Sequence, residues 1–392
     1  MNPIGTLPVR EREEEAINLQ PIQAAGRLTS DAMKALIAYG DGYSACDLCL
    51  KPFRLDTIKK PDIAQFHTDV ADWLGVDQIR IMPGARRAFQ AVCLSLLSKG
   101  DTALITQFGH YTIGLSVEQA GATWREIPAD ETNHITPDAT AEKIELVKKE
   151  TGSVPKLINV AHFDYQLANE HDIKGIIKVA HEYDVPVLYN GAYTIGVMPV
   201  NHKDFGADFY VASGHKSMAA PAPTGVLGMN DEWAEKVFRT TDATGDVTGR
   251  KFGVKEVQLL GCTVMGGPLF AMMASFPHVK ERVKHWDTEL ENARWFVDQM
   301  LKIEGTSVVS EMPRKHTITK IKTDGFNKIA DTHKKRGFFL TKALSSRKIT
   351  GPFPGATREW KFSTYGLTRK QVEYTANAFK EIALENGLNV SD

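Results

Sequence analysis

Between residues 79 and 229, short apolar runs alternate with amphipathic stretches, and this pattern limits the fold more than any other feature of the chain. Ile79–Met82 reads as a strand, and further strands are expected at 102–106, 123–127, 157–161, 185–189, 207–212 and 224–229. Helical patterns fall between several of them, at 113–120, 138–150 and 172–183, while Ala88, Phe89, Val92, Cys93, Leu96 and Leu97 form one apolar stripe. Strands that are apolar throughout must be covered on both faces. Helices in the connections supply that cover, so the pattern predicts an α/β fold with a mainly parallel sheet. Residues 1–30 read as an N-terminal arm, 31–265 as a large α/β domain, and 266–392 as a smaller C-terminal α+β domain. A long helix from Pro277 to Ile303 is expected to join the two domains.

The net charge of −1 gives no global field toward nucleic acid or membrane, so any polyanion must meet a local patch. Residues 331–370 offer one, with ten basic residues against Asp331 and Glu359, interleaved with Phe338, Phe339, Phe353, Trp360 and Phe362. That composition suits an RNA backbone, and it equally suits a solvated basic face. No stretch approaches the ~20 apolar residues of a membrane span. The first twenty residues are acidic and lack an apolar core, so a cytoplasmic location is expected.

The chemistry centres on Ser213-Gly214-His215-Lys216, which follows the apolar run Phe209–Ala212 and precedes a small-residue run to Gly225. Small neighbours let a ligand approach closely and leave the lysine without ion-pair partners nearby in sequence. Such an amine is suited to Schiff-base chemistry. Pro83-Gly84-Ala85-Arg86-Arg87 joins a strand to a helix. Free N–H groups and two arginines make that turn an anion site. Asn190 ends a strand, at the carboxyl edge where α/β sheets bind ligands, and can meet a ring nitrogen there. His110-Tyr111 follows another strand and offers flat rings for stacking or for binding an anionic group.

Of the four cysteines, Cys93 lies on the apolar stripe and reads as core. Cys46 and Cys49 have C-x₂-C spacing in a glycine-containing loop, and Cys262 is the remaining candidate partner. Without a second C-x₂-C a closed four-cysteine zinc site is not expected. A sulfur-carrying role and an iron–sulfur cluster with one open position both remain open.

The Ser213–Lys216 motif, the Asn190–Tyr193 segment and the Gly84–Arg87 turn together resemble fold-type-I pyridoxal-phosphate enzymes. With Cys46-x₂-Cys49 included, the chain is similar over nearly its whole length to the archaeal O-phosphoseryl-tRNA:cysteinyl-tRNA synthase family. The resemblance implies a homodimer with pyridoxal phosphate on Lys216. Ala85, Arg86, Ser213, Gly214 and His215 would hold the cofactor's phosphate end, with Asn190 at its ring nitrogen and His110 over the ring. Arg86, Arg87, His110 and Tyr111 would meet the substrate. Cys46, Cys49 and Cys262 would carry sulfur or ligate an iron–sulfur cluster. The implied substrate is phosphoseryl-tRNA(Cys), with phosphoseryl-tRNA synthetase as a partner. The implied reaction is elimination of phosphate followed by sulfur addition. A cysteine desulfurase is the nearest alternative, and a non-enzymatic RNA-binding scaffold is the other.

Overall fold

The computed structural model describes residues 16–20, 28–40, 60–238, 244–250 and 266–392. Cys46, Cys49, Cys262 and the loop around the first two lie outside the described residues, as does most of the arm. The chain forms two compact units. One is Gly26–Thr288, and the other is Glu289–Asp392 together with β1 (Ile17–Asn18). The boundary falls within the helix Trp286–Leu301.

The larger unit is built on seven strands: β2 (Gln78–Met82), β3 (Thr102–Thr106), β4 (Thr123–Ile127), β5 (Leu157–Ala161), β6 (Val187–Asn190), β7 (Phe209–Ser213) and β8 (Gly225–Met229). Their order is β2-β8-β7-β6-β5-β3-β4. The pairs among β3 to β7 are all parallel, as the alternation predicts. β8 is the exception, running antiparallel to both β7 and β2. Its apolar residues pack as any buried strand would, so composition carries no sign of its direction. β3 and β5 to β8 are buried along their whole length. Each fully buried aliphatic side chain contributes about 1.5–3 kcal/mol of transfer free energy.

Local signals account for the helix ends. Asp62 accepts the Gln65 N–H at 3.1 Å and so caps the helix Ile63–Leu74, which buries Ile63, Phe66 and Val70. Thr136 caps Pro137–Thr151 in the same way, accepting the Ala139 N–H at 3.2 Å. One expectation needs correction. Pro277 does not open a helix but sits inside Gly266–Val283, and the chain breaks at Lys284–His285 before Trp286–Leu301 begins. Asp231–Phe238 is a further helix that buries Ala234, Val237 and Phe238.

The smaller unit carries the antiparallel sheet β12-β10-β9 (Glu359–Ser363, Ile318–Thr323, Thr306–Val308). β1 pairs in parallel with β11 (Ile349–Thr350). Phe296, Phe362 and Phe379 form its aromatic centre, with Phe296 and Phe362 edge to face at 4.9 Å. Among the described residues no helix is long and apolar enough to cross a membrane.

Candidate active site

The carboxyl edge of the large sheet opens into a cavity of 420 Å³, and Lys216 reaches into it. β7 ends at Ser213, and the single helical turn Gly214–Ser217 that follows presents the lysine half-buried. Its Nζ lies 3.5 Å from the Tyr193 hydroxyl and 4.5 Å from the centre of that ring. The turn is held from behind by the helix Gly266–Val283. Ser275 Oγ donates to the Ala219 carbonyl at 2.6 Å. Arg282 donates to the Ser217 carbonyl, and to the Gly196 carbonyl at 3.1 and 2.9 Å. One guanidinium therefore ties the lysine turn to the loop that carries Tyr193.

One end of the cavity is an anion cup. Gly84, at φ 98°, turns the chain from β2 into the helix Ala85–Leu96. The Arg87 and Ala88 N–H groups are spent on the Gly84 carbonyl at 3.0 and 3.3 Å. As the first helical residues, Ala85 and Arg86 keep N–H groups with no acceptor in their own helix. Ser213 Oγ is buried without a hydrogen-bond partner and lines the same cavity. Leaving a buried hydroxyl unpaired costs free energy, and an anionic oxygen placed there would satisfy it. His215 also lines the cavity, and burial, reinforced by the Lys216 charge, lowers its pKa below the ordinary histidine value. These donors fit a phosphate group.

The other walls suit a flat ring. Asn190 ends β6 and lines the cavity; its Oδ1 accepts the Ala192 N–H at 3.2 Å, which leaves Nδ2 as the side chain's donor. His110 Nδ1 accepts the Thr112 N–H at 3.3 Å, leaving the ring proton of the neutral imidazole on Nε2. Its ring stacks on Tyr111 at 4.6 Å and meets Tyr165 at 5.0 Å. Tyr165 and Phe163 come from a loop organised by buried Asp164, whose carboxylate accepts N–H groups from Gln166, Leu167 and Asn169 at 2.8, 2.6 and 3.0 Å. Below them His162 Nδ1 meets the Tyr189 hydroxyl at 2.6 Å, and that hydroxyl meets Thr194 Oγ1 at 2.9 Å. This chain fixes the residues flanking Asn190 and Tyr193.

The structure thus brings together Ala85, Arg86, His110, Asn190, Ser213, His215 and Lys216 around one cavity. Gly214 sits behind it, where an added Cβ would strike Thr224. Tyr111 is 62% exposed, and Arg87 is exposed on the helix; neither lines the cavity. Cys93 is buried, and burial pushes its thiol up to about 12, as expected for a core cysteine. Sequence reasoning assigned no role to Tyr193, Phe163 or Tyr165. Their signal was available, since all three follow strands that end at this edge.

The Asp164 loop also carries a pH-dependent part of the stability. His171 Nδ1 accepts the Ile135 N–H at 3.2 Å, its Nε2 faces Asp164 at 3.8 Å, and burial holds its pKa down at about 4 from an ordinary 6.5. The unfolded chain therefore binds the extra proton between those values. Stability is complete above 6.5 and falls as pH drops toward 4, by about 3 kcal/mol in all. Asp164, whose pKa burial raises, titrates with the opposite sign, so the comparison must be between variants. In urea titrations from pH 7 to 4, His171→Asn is expected to lose less stability than the parent. Equal losses would remove His171 from the account.

Solved structures share this architecture. A SepCysS–SepCysE N-terminal domain complex matches with TM-score 0.85 and 39% identity, over 98% of both chains. A cysteine desulfurase from Thermococcus onnurineus matches in fold, with TM-score 0.73 and 17% identity over 95% of this chain and 96% of that one. The fold is that of the fold-type-I pyridoxal-phosphate enzymes. The description "O-phosphoseryl-tRNA(Sec) selenium transferase, SepSecS" matches residues 63–384, and the chain belongs to this family. An O-phospho-L-seryl-tRNA:Cys-tRNA synthase 1 of Methanococcoides burtonii is 59% identical over 389 residues, 99% of this chain and 85% of that protein. The O-phospho-L-seryl-tRNA:Cys-tRNA synthase of Methanoculleus marisnigri is 59% identical over 382 residues, covering 97% of each.

Proposed function

We propose that this chain converts O-phosphoseryl-tRNA(Cys) to cysteinyl-tRNA(Cys), with pyridoxal phosphate as cofactor. The observation that carries the reading is Lys216 beside a buried, unpartnered Ser213 hydroxyl and two free helix-start N–H groups, in a chain 59% identical to proteins of that name. Lys216 would hold the cofactor through its side-chain amine, and Ala85, Arg86, Ser213 and His215 would hold its phosphate. When bound, the cofactor supplies an electron sink for charge developing at the substrate Cα.

The chain's own residues supply the rest. Lys216 Nζ, positioned by Tyr193, would take the Cα proton as general base. Arg86, exposed at the cup, would receive the departing substrate phosphate. His110 and Tyr165 line the cavity and would exclude water from it. Cys46, Cys49 and Cys262 deliver the sulfur that adds at Cβ, carrying it directly or on an iron–sulfur cluster. The working unit is a homodimer in the cytoplasm, supplied with substrate by a phosphoseryl-tRNA synthetase.

The test is to incubate the cofactor-loaded protein with phosphoseryl-tRNA and sulfide, then identify the amino acid on the tRNA. Cysteine is expected, with one phosphate released for each. Unchanged phosphoserine overturns the reading, and sulfide release from free cysteine favours a desulfurase. Asn190 offers a second check. A neutral amide at the ring nitrogen would not hold it protonated as a carboxylate would, which would make the sink a weak one. Asn190→Asp is expected to retain the cofactor and speed Cα proton loss several-fold, read by deuterium exchange at Cα. An unchanged rate removes Asn190 from the ring nitrogen.

A further inference from the structure

The basic segment of the smaller unit divides into two groups. Arg347 pairs with Glu381 at 3.5 Å and Glu385 at 2.7 Å, and Arg369 pairs with Glu373 at 2.9 Å while its guanidinium lies 4.1 Å from the centre of the Trp295 ring. Those cations have carboxylate partners within the unit. Lys334, Lys335, Arg336 and Lys342 are exposed, and among the described residues none has an ion-pair partner.

Three of these free cations are consecutive on one tight turn. The Arg336 N–H bonds the His333 carbonyl at 2.7 Å, the Phe338 N–H bonds the Lys335 carbonyl at 3.1 Å, and Arg336 has φ 46°. Non-glycine residues rarely adopt that conformation, so the local structure holds the turn in place. The loop 351–356 lies against it. A Cβ on Gly337 would strike the Gly355 carbonyl, and one on Gly355 would sit 3.6 Å from the Phe338 ring. The Gly355 N–H also bonds Thr341 Oγ1 at 3.3 Å. The turn's helix and the loop each carry one exposed ring: Phe338, 52% exposed, and Phe353, 77% exposed. Lys342 follows Phe338 by one helical turn on the same side.

We infer that this face, built from the 333–338 turn and the 351–356 loop, grips the phosphate backbone of RNA, with Phe338 and Phe353 stacking on unpaired bases. The inference rests on the proposed reading that the substrate is carried on tRNA. Charge complementarity selects the partner. Protein–protein interfaces are depleted of lysine, whereas cations flanking exposed rings are the composition of single-stranded nucleic-acid sites. The rings stack on any base, and the cations replace counterions along the backbone.

The test is filter binding of deacylated tRNA to the full-length, cofactor-loaded protein across a salt series, without turnover. Changing Lys334, Lys335 and Arg336 together to Gln is expected to weaken binding about tenfold or more near 0.15 M salt. The slope of log affinity against log salt should fall by about two to three. Phe353→Ala is expected to weaken binding about fivefold or more with the slope unchanged. Both variants should keep the cofactor's absorbance, and in turnover KM should rise while kcat holds. Unchanged affinity and slope in the triple variant overturn the inference, as does an effect that appears only when a second protein is added. If the parent binds tRNA with these sensitivities but makes no cysteinyl-tRNA, the catalytic reading fails and the RNA face stands. If parent and triple variant make product equally well at low tRNA, the RNA face fails alone.

Discussion

Lys216→Ala is expected to lower phosphate release from phosphoseryl-tRNA at least about a thousand-fold, the upper range for loss of a positioned base, and to remove the cofactor's visible absorbance. On the proposed reading both effects come from one nitrogen, since Lys216 Nζ would both bond the cofactor and move the proton. Its surroundings make the result easy to interpret. The side chain is half-buried against Tyr193, and among the described residues no carboxylate pairs with it. Truncation strands no buried counter-charge, so the thermal midpoint should change little. Lys216→Arg should not rescue, because a guanidinium does not deprotonate. Full absorbance and turnover in the alanine variant would sink the assignment.

Gly225→Ala is expected to have the second largest effect, and at a distance from the reacting atoms. Gly225 begins β8, directly opposite Met82 at the end of β2. A Cβ there would lie 2.7 Å from Ala85 N, 2.7 Å from the Gly84 carbonyl carbon and 3.0 Å from the Ala212 carbonyl oxygen. All three are backbone atoms, so no side chain can move aside. The turn must shift, and with it the Ala85 and Arg86 N–H groups that form the cup. Overpacking of this kind costs about 1–3 kcal/mol of stability. Cofactor affinity is expected to fall more than activity at saturating cofactor, read by fluorescence titration. A variant with parental cofactor affinity would show that the cup does not depend on this close approach.

Much of this was legible in the residues because the relevant signals are local. Apolar runs marked β2, β3 and β5 to β8, and residues at or just past strand ends, Arg86, His110, Asn190 and Ser213–Lys216, marked the edge where the cavity lies. What was not legible depends on pairing. The reversed direction of β8 leaves no trace in its composition. Tyr193 acquires a role only when two loops are brought together by Arg282, which lies on a different element. The basic segment read as one patch because charge counts are blind to partners. Arg347 and Arg369 find carboxylates on the helix Arg369–Glu385, which leaves a smaller group free. The helix Phe338–Ser346, overlooked in the sequence, is what orders that smaller group.

The placement of β8 also imposes an order on events as the chain is made. β7 carries the lysine turn and β2 the phosphate turn, yet these two strands do not touch; β8 lies between them and pairs with both. It is also the last strand of its sheet to leave the ribosome, and its contact with β2 closes a loop spanning most of the unit. A chain stopped short of β8 has the lysine turn but lacks the strand that joins it to the Gly84 turn. On the proposed reading, capture of the cofactor would report that the sheet is complete, and by mass action it would draw chains toward the finished arrangement.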